Sequence, residues 1–505
     1  MNAVRHIPNE HITLRELLRG AISDAALPQL SSVDVQHLTL NSRDVKPGSA
    51  FIAIPGLRAH GIDYAAQAVA NGASVVLWEP VDDRAMPALS GATVVAVPHL
   101  SAMLGDIANR FYGEPSHAMR IAAVTGTNGK STTAYMIAEA AQRCGMIAGY
   151  SGTVGYGLID HLKNATHTTP DVINVHRQLA EIRDEGAIAA GMEVSSHALH
   201  QHRIAAVQID TAVFTNLTRD HLDYHGSMQA YGEAKAALFQ HPGLRHAVIN
   251  ADDVFGRELL SRPLAAKVMT AFGCESSQGF NRMVQATGVR LSERGLQLNI
   301  TGSFGDAVLQ SSLLGKFNAY NLLATLAVLL GWDISLNKAV AALEQSSAPP
   351  GRMETHRDAH GKLVVIDYAH SPDALEKALQ ELKVYCRGKL VCVFGCGGNR
   401  DAGKRVQMGA IAERLADQII LTDDNPRYED PQQIINGILR GIKHPDRVVV
   451  ERDRAKAIAR SIDMASSQDI VLIAGKGHED YQIIGDVTAH FSDREVVQAC
   501  LRGAA

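Results

Sequence analysis

The stretch Ile121 to Ala141, "IAAVTGTNGKSTTAYMIAEAA", constrains the fold more than any other. An apolar run ends in a turn with two glycines, Lys130 and Ser131 follow, and a helix-like segment begins. A strand–turn–helix unit of this kind implies a parallel sheet covered by helices. The glycines let backbone N–H groups approach phosphate oxygens, and the helix N-terminus adds its positive dipole end. Lys130 would then meet β- and γ-phosphates, and Ser131 would offer a hydroxyl to Mg²⁺. The full phosphate-loop pattern asks for glycine where this chain has Val124, so a purely structural βα turn is the alternative.

The same pattern recurs downstream. "GAIAAGM" runs into Glu193, "TAVFTN" into Thr218-Arg219-Asp220-His221, and "AVIN" into Ala251-Asp252-Asp253. Later, "LVVI" precedes Asp367, "LVCVF" precedes Gly395 to Arg400, "QIILT" precedes Asp423 to Arg427, and "DIVLIA" precedes Gly475 to Glu479. In open α/β sheets ligands bind beyond the carboxyl ends of the strands, so two such edges suggest a site between two domains. Breaks at "RFYGEPSHAMR" and "SSAPPGRMETH" divide the chain into 1–114, 115–346 and 347–505. Three domains also suit 505 residues at roughly 150 per domain.

Composition excludes several classes. With 48 basic against 53 acidic residues and no single-sign block, the chain lacks a nucleic-acid footprint. Six cysteines without a C-x-x-C pair read as free thiols of a reducing compartment. The segment "MNAVRHIPNEHITLRELL" lacks the apolar core of a signal peptide. The run "LLATLAVLLGW" falls short of the ~20 residues of a membrane span. A cytoplasmic monomer with small-molecule partners is the expectation.

Individual residues leave alternatives open. Glu193 reads as a Mg²⁺ ligand, or as a helix-capping or solvated residue. His221 and His225, four apart, read as one helical face, solvated or hydrogen-bonded more readily than metal-binding. Lys235 in "YGEAKAALF" reads as a surface-helix lysine. Asn318 and Asn321 in "LLGKFNAYNLLA" read as caps, or as two amides that face a base. Arg352 in "PPGRME" reads as a hinge salt-bridge partner or as an arginine that reaches a γ-phosphate. Asp424-Asn425-Pro426-Arg427 has turn composition, yet its arginine suits a carboxylate.

Seven ordered motifs, "TGTNGKST", "EVSSHAL", "NLTRDHLDYH", "YGEAK", "GKFNAYN", "GRME" and "DYAHSPDAL", resemble those of the Mur ligases, ATP-dependent enzymes of peptidoglycan precursor assembly. The resemblance covers nearly the whole chain. "GCGGNRDAGKR", "DDNPR" and "GKGHED" point within that family to the MurE type, which adds the third residue to UDP-N-acetylmuramoyl-L-alanyl-D-glutamate. The DNPR version is associated with meso-diaminopimelate; an L-lysine-adding enzyme and a folylpolyglutamate-synthetase-like ligase are the rivals.

The resemblance implies an α/β fold in three domains. These are an N-terminal uridine-binding domain, a central parallel sheet of phosphate-loop type that binds ATP, and a C-terminal Rossmann-like domain. It further implies that Gly126, Thr127, Asn128, Gly129, Lys130, Ser131 and Thr132 hold ATP phosphates, with Asn321 at the adenine, Arg352 at the γ-phosphate and Asp367 at the nucleotide. Ser131, Glu193 and His221 would surround two Mg²⁺ ions, with Lys235 carbamylated by CO₂. Leu40, Ser42, Leu57, Arg58 and Ala59 would hold the uridine diphosphate end. Thr168, Thr169, Ser195, Gln201 and Arg203 would hold the muramoyl-dipeptide. Arg400, Asp424, Asn425, Pro426, Arg427, Gly475 and Glu479 would hold diaminopimelate, and Lys130, Glu193, His221, Lys235 and Arg352 would form the catalytic set. His167 stands where the family commonly has Asn, and Leu57-Arg58 replaces polar residues of relatives.

Overall fold

The structure, a computed structural model, describes residues 12–503 apart from 24–29, 31, 57–58, 82–83, 85–88, 166 and 276–278. Leu57 and Arg58 therefore lie outside the described residues. The chain forms two compact units, Met1–Ala271 and Phe272–Ala505.

The first unit contains two parallel sheets. One orders His37–Thr39, Ser49–Ala53, Ala73–Trp78 and Thr93–Ala96 as sequential neighbours. The other has Arg120–Thr125 at its centre, flanked by Ala189–Glu193 and Thr211–Phe214. Ala148–Gly152 and His246–Asn250 lie further out, and Gly155–Leu158 adds an antiparallel strand. The three central strands are buried along most of their length, as continuous apolar runs under helices require. Their register pairs Val124 with Glu193 and Thr125 with Phe214. Three carboxyl ends are thereby level, and the helix Lys130–Arg143 starts beside them.

The second unit opens with antiparallel strands Met283–Ser292, Gly295–Gly302 and Ala307–Ser311, packed by the helices Lys316–Gly331 and Leu336–Glu344. After Pro349-Pro350 comes a six-stranded sheet. Its order is Glu354–Arg357, Leu363–Asp367, Ile470–Ala474, Leu390–Phe394, Gln418–Leu421 and Val448–Val450; only the first strand is antiparallel. The four apolar runs that end in polar clusters are thus adjacent strands of one sheet, with their ends on one edge. The α/β expectation with parallel sheets holds in both units.

One buried ion pair fastens that edge. Arg454 and Asp493, neither accessible to solvent, share two hydrogen bonds of 2.7 Å, and Arg454 Nη2 also donates to Ala474 O at 3.1 Å. Burial alone would lower the arginine's pKa, but Asp493 outweighs it and raises it. Removing one partner leaves a desolvated charge, so Asp493→Ala should cost about 3–5 kcal/mol. The apolar double variant Arg454→Met/Asp493→Leu should cost far less. The midpoint of the second unit's urea unfolding transition checks this, and equal losses in both variants would contradict it.

Candidate active site

The phosphate-loop-like turn is braced by the strand beside it. Gly126 has φ 151°, and a Cβ there would stand 1.8 Å from Thr215 Oγ1, so only glycine fits. Thr127 N donates to Asn216 O at 2.8 Å, and Asn128 N to Asn216 Oδ1 at 3.0 Å. Thr215 Oγ1 in turn donates to Asn128 O at 2.7 Å. Gly129, at φ 83°, leads into the helix that carries Lys130, Ser131 and Thr132.

Two cations converge on one carbonyl. Lys130 Nζ donates to Gly126 O at 3.0 Å and to Thr127 O at 2.8 Å, while Lys235 Nζ donates to the same Gly126 O at 2.9 Å. Lys235 is 1% exposed, which corrects its reading as a surface lysine. Its ammonium lies 4.3 Å from the Tyr231 ring centre, and Tyr231 Oη donates to Thr127 Oγ1 at 3.3 Å. Burial, aided by the Lys130 charge, lowers the Lys235 pKa to about 6.

Glu193 is 1% exposed, neither solvated nor a cap; Ser195 caps the following helix. Its carboxylate accepts from Ser131 Oγ at 2.8 Å, Thr153 N at 2.7 Å, Thr153 Oγ1 at 3.2 Å, and the Tyr150 hydroxyl. Thr168 Oγ1 lies 3.0 Å from Thr153 Oγ1. Thr169 Oγ1 donates to Glu193 O at 2.8 Å and accepts from Ser195 N at 3.2 Å. Arg203 donates to Thr169 O at 2.8 Å and to Gln201 Oε1 at 2.6 Å. Ser131, Glu193, Thr168, Thr169, Ser195, Gln201 and Arg203 thus form one connected cluster.

His221 is placed differently from the sequence reading. It has φ 50° and precedes the single turn Leu222–His225 rather than sharing a helical face with His225. Its ring packs edge-on against His197, centroids 4.9 Å apart, and 6.0 Å from Tyr231. In the N-terminal sheet, Leu40, Ser42 and Ala59 follow strand ends; Ser42 Oγ donates to Gln67 Oε1 at 2.9 Å, and Ala59 O accepts from Gly56 N at 3.0 Å.

In the second unit, Asn318 and Asn321 are buried inside their helix, which Gly315 caps without a side chain, so the capping reading is corrected. Asn321 Nδ2 donates to Asn318 Oδ1 at 2.8 Å, and Asn318 Nδ2 to Leu314 O at 2.7 Å. Arg352 makes no hinge salt bridge among the described residues; its guanidinium lies 5.1 Å from the Tyr368 ring centre and its buried Nε has no hydrogen-bond partner. Asp367 Oδ2 accepts from Met353 N at 2.8 Å, and burial raises its pKa.

The Asp424–Arg427 loop surrounds a buried lysine that the motif analysis missed. Lys476, fully buried, donates to Asn425 Oδ1 at 2.9 Å and Tyr481 O at 2.7 Å, and lies 3.4 Å from Asp424 and 3.7 Å from Glu479. Asn425 Nδ2 donates to Glu479 Oε2 at 2.9 Å. Arg427 has φ 55°, a left-handed conformation costing a non-glycine residue about 1–2 kcal/mol. Its Nη1 donates to Gly398 O at 3.1 Å and Asn425 O at 3.4 Å, while Nε and Nη2 make no hydrogen bond among the described residues. Arg400 is exposed, and Gly475 follows the strand that ends at Ala474.

Three family descriptions match in order: Mur ligase family, catalytic domain, over 34–112; Mur ligase middle domain over 124–329; and Mur ligase, glutamate ligase domain, over 351–477. A protein of Xanthomonas oryzae pv. oryzae named UDP-N-acetylmuramoyl-L-alanyl-D-glutamate–2,6-diaminopimelate ligase is 50% identical, covering 96% of this chain and 97% of its own length. The chain belongs to the Mur ligase family. A protein of the same name from Pseudomonas aeruginosa is 46% identical over 92% of this chain and 95% of its own. A solved structure of a ligase with that name is similar at TM-score 0.70 and 35% identity, over 98% of this chain and 99% of that one.

Tyr150, Thr153, Asn216 and Lys476 are the residues of this Mur ligase's candidate site that sequence reasoning passed over. Lys476, between two glycines at a strand end, carried a signal; Tyr150 lies inside a strand and carried none.

The Lys235 environment gives a signed pH dependence. Between about 6 and the ordinary lysine value of 10.5, the unfolded chain holds a proton that the folded chain has lost. Stability therefore rises with pH across that window. Lys235→Met removes the penalty, so its melting temperature should exceed the native one most at about pH 6 and by a steadily smaller margin toward the ordinary lysine value of 10.5. A pH-independent difference would contradict the burial account.

Proposed function

We propose that this Mur ligase adds meso-2,6-diaminopimelate to the γ-carboxylate of D-glutamate in UDP-N-acetylmuramoyl-L-alanyl-D-glutamate, consuming ATP and releasing ADP and phosphate. The observation that carries the choice of amino acid is the Nε/Nη2 edge of Arg427, unengaged beside Asn425 and Glu479. Diaminopimelate exceeds lysine by one distal carboxylate, which that edge suits in a two-point grip. Glu479, oriented by the Asn425 amide, offers an acceptor to the neighbouring ammonium, with Asp424, Pro426, Gly475 and Arg400 framing the same edge. The names of the similar proteins support the same choice.

A carboxylate is a poor electrophile, so activation as an acyl phosphate precedes amide formation. The glutamate oxygen attacks the γ-phosphorus of ATP and ADP departs; the amine then attacks the acyl carbon, and phosphate leaves with the electron pair. Backbone N–H groups of Gly126 to Thr132 would cradle the phosphates, and Lys130 and Arg352 would offset charge on the transferring group. Arg352 is suited by its unpartnered Nε. Asn321 would face the adenine and Asp367 the nucleotide. Thr168, Thr169, Ser195, Gln201 and Arg203 would hold the muramoyl-dipeptide, and Leu40, Ser42 and Ala59, with Leu57 and Arg58, the uridine end.

The donor set fits Mg²⁺. Ser131 and the Glu193 carboxylate give hard oxygens at the loop, and no cluster of three or more metal-ligating side chains occurs among the described residues. That sparseness suits an ion that keeps water and phosphate oxygens. When bound, Mg²⁺ supplies charge neutralisation at the phosphates, with Ser131, Glu193, His221 and carbamylated Lys235 as the proposed holders. Carbamylation needs a neutral amine: its lone pair attacks CO₂ and one N–H proton leaves. The lowered Lys235 pKa supplies that amine near neutrality, and the anion formed would attract Lys130 where the ammonium repelled it.

We also propose the domain division 1–114, 115–346 and 347–505, supported by separate sheets over 37–96 and 354–474, and a monomer acting in the cytoplasm. No helix among the described residues is long and apolar enough to cross a membrane.

Phosphate release should require both the UDP-muramoyl-dipeptide and meso-diaminopimelate, with L-lysine at least ~100-fold poorer in kcat/KM, equivalent to about 2.7 kcal/mol. Comparable rates with lysine would sink the choice of amino acid. Lys235→Ala should nearly abolish turnover, with partial rescue by a short-chain carboxylate; full activity would remove the carbamate.

A further inference from the structure

The segment Tyr481–His490 is a two-stranded hairpin, Tyr481–Ile484 against Val487–His490, turning at Gly485-Asp486. Its apolar residues Ile484 and Val487 are exposed, so it has little core of its own, and an isolated two-stranded hairpin is marginal in water. Its polar bonds run instead to the Asp424–Arg427 loop. Gln482 Nε2 donates to Asp424 O at 2.8 Å, and Ile483 N to Asn425 Oδ1 at 3.0 Å. Arg427 N donates to Ile483 O at 3.0 Å, and Gly485 N to Arg427 O at 2.7 Å. The Tyr428 hydroxyl bonds Asp486.

Both backbone groups of Arg427 are therefore held by the hairpin at the one loop residue with a left-handed conformation. Without those bonds an arginine favours the right-handed or extended regions, which would aim its guanidinium elsewhere. Gln482 acts one step back. Its amide is the side-chain tether between the hairpin and the loop's first carbonyl, so it fixes the height at which Ile483 meets Arg427.

We propose that this hairpin is a specificity clamp and that Gln482 is a positioning residue, which holds Arg427 in the conformation that selects an amino acid with a distal carboxylate. The inference rests on the reading of Arg427 given above. It concerns binding of the amino acid alone, since neither hairpin strand contributes to the phosphate loop or to the Glu193 cluster.

Gln482→Glu keeps shape but turns the donor into an acceptor facing a carbonyl. In the full-length enzyme it should raise KM for meso-diaminopimelate about tenfold, the effect of losing one such bond. KM for ATP and for the UDP-muramoyl-dipeptide should stay unchanged, and preference for diaminopimelate over L-lysine should fall. Gly485→Ala gives a second route to the same change: φ there is +58° with open space around it, so the variant strains the turn without a collision. Arg427→Ala, measured alongside, separates the two claims. If it removes the preference while both hairpin variants keep the native KM for diaminopimelate, the clamp is wrong and the selector stands. If Arg427→Ala leaves the preference intact, both fall. A joint rise of all three KM values with a lower melting temperature would mark a merely structural role and also overturn the clamp.

Discussion

The parallel pairing of Arg120–Thr125 with Ala189–Glu193 sets the chemistry of the first unit. With Val124 opposite Glu193, the carboxylate rises level with the start of the glycine turn, within 2.8 Å of Ser131 Oγ. Side chains alternate along a strand, so a slip of one residue would turn Glu193 to the other face. The neighbouring pairing, Thr125 with Phe214, brings Thr215 and Asn216 against the turn in the same way. Both pairings lie within strands buried on both faces, so the polar groups appear only where the apolar runs stop. Placement of the polar groups is thus a consequence of apolar packing, and the glycines are what allow the backbone to come this close.

Charge is handled oppositely in the two units. Around Gly126 O, two lysines converge, and burial and repulsion push Lys235 toward its neutral form. Two cations facing one carbonyl support the proposed binding of anionic phosphates at this turn. Around Lys476 the excess is negative: Asp424 and Glu479 flank one ammonium, with Asn425 and Tyr481 O completing its hydrogen bonds. Burial lowers the Lys476 pKa and raises that of Glu479, each opposed by the other's charge. That balance supports the proposed reading, in which Glu479 meets the substrate's ammonium and Arg427 its distal carboxylate.

What the sequence disclosed follows from where physical signals are local. Apolar runs ending in glycine and charge marked most strand ends of the site, though not that of Ala148–Gly152, because period and turn chemistry are written in adjacent residues. That the runs ending at Asp367, Phe394, Leu421 and Ala474 belong to parallel strands was legible, but their order was not, since Ile470–Ala474 inserts between Leu363–Asp367 and Leu390–Phe394. The burial of Lys235 was illegible in its own segment: a helix reading "YGEAKAALF" buries its lysine only because Gly126 and Tyr231 close over it. Asn318 looked like a cap because asparagine favours helix starts, but Gly315 takes that position and Asn318 lies one turn inside. Tyr150 could not have been found, since its hydroxyl meets Glu193 only through sheet order.

The selectivity proposed for the second unit rests on desolvated charge. Arg454 and Asp493 are buried together, and the arginine's remaining bond fixes Ala474 O, the last residue before Gly475 and Lys476. Lys476 cannot be left in that interior unpaired, so it recruits Asn425 Oδ1 and Tyr481 O, one from the loop and one from the hairpin. Asn425, held at its oxygen, turns its amide to Glu479. The residue after Asn425 is proline, which limits the turn to few paths, and the next is Arg427. Each buried charge requires the next partner, so the order of the core is passed outward to a half-exposed guanidinium. A loop held only by surface contacts would let that arginine follow any ligand; one tied to buried charges makes the ligand fit the arginine.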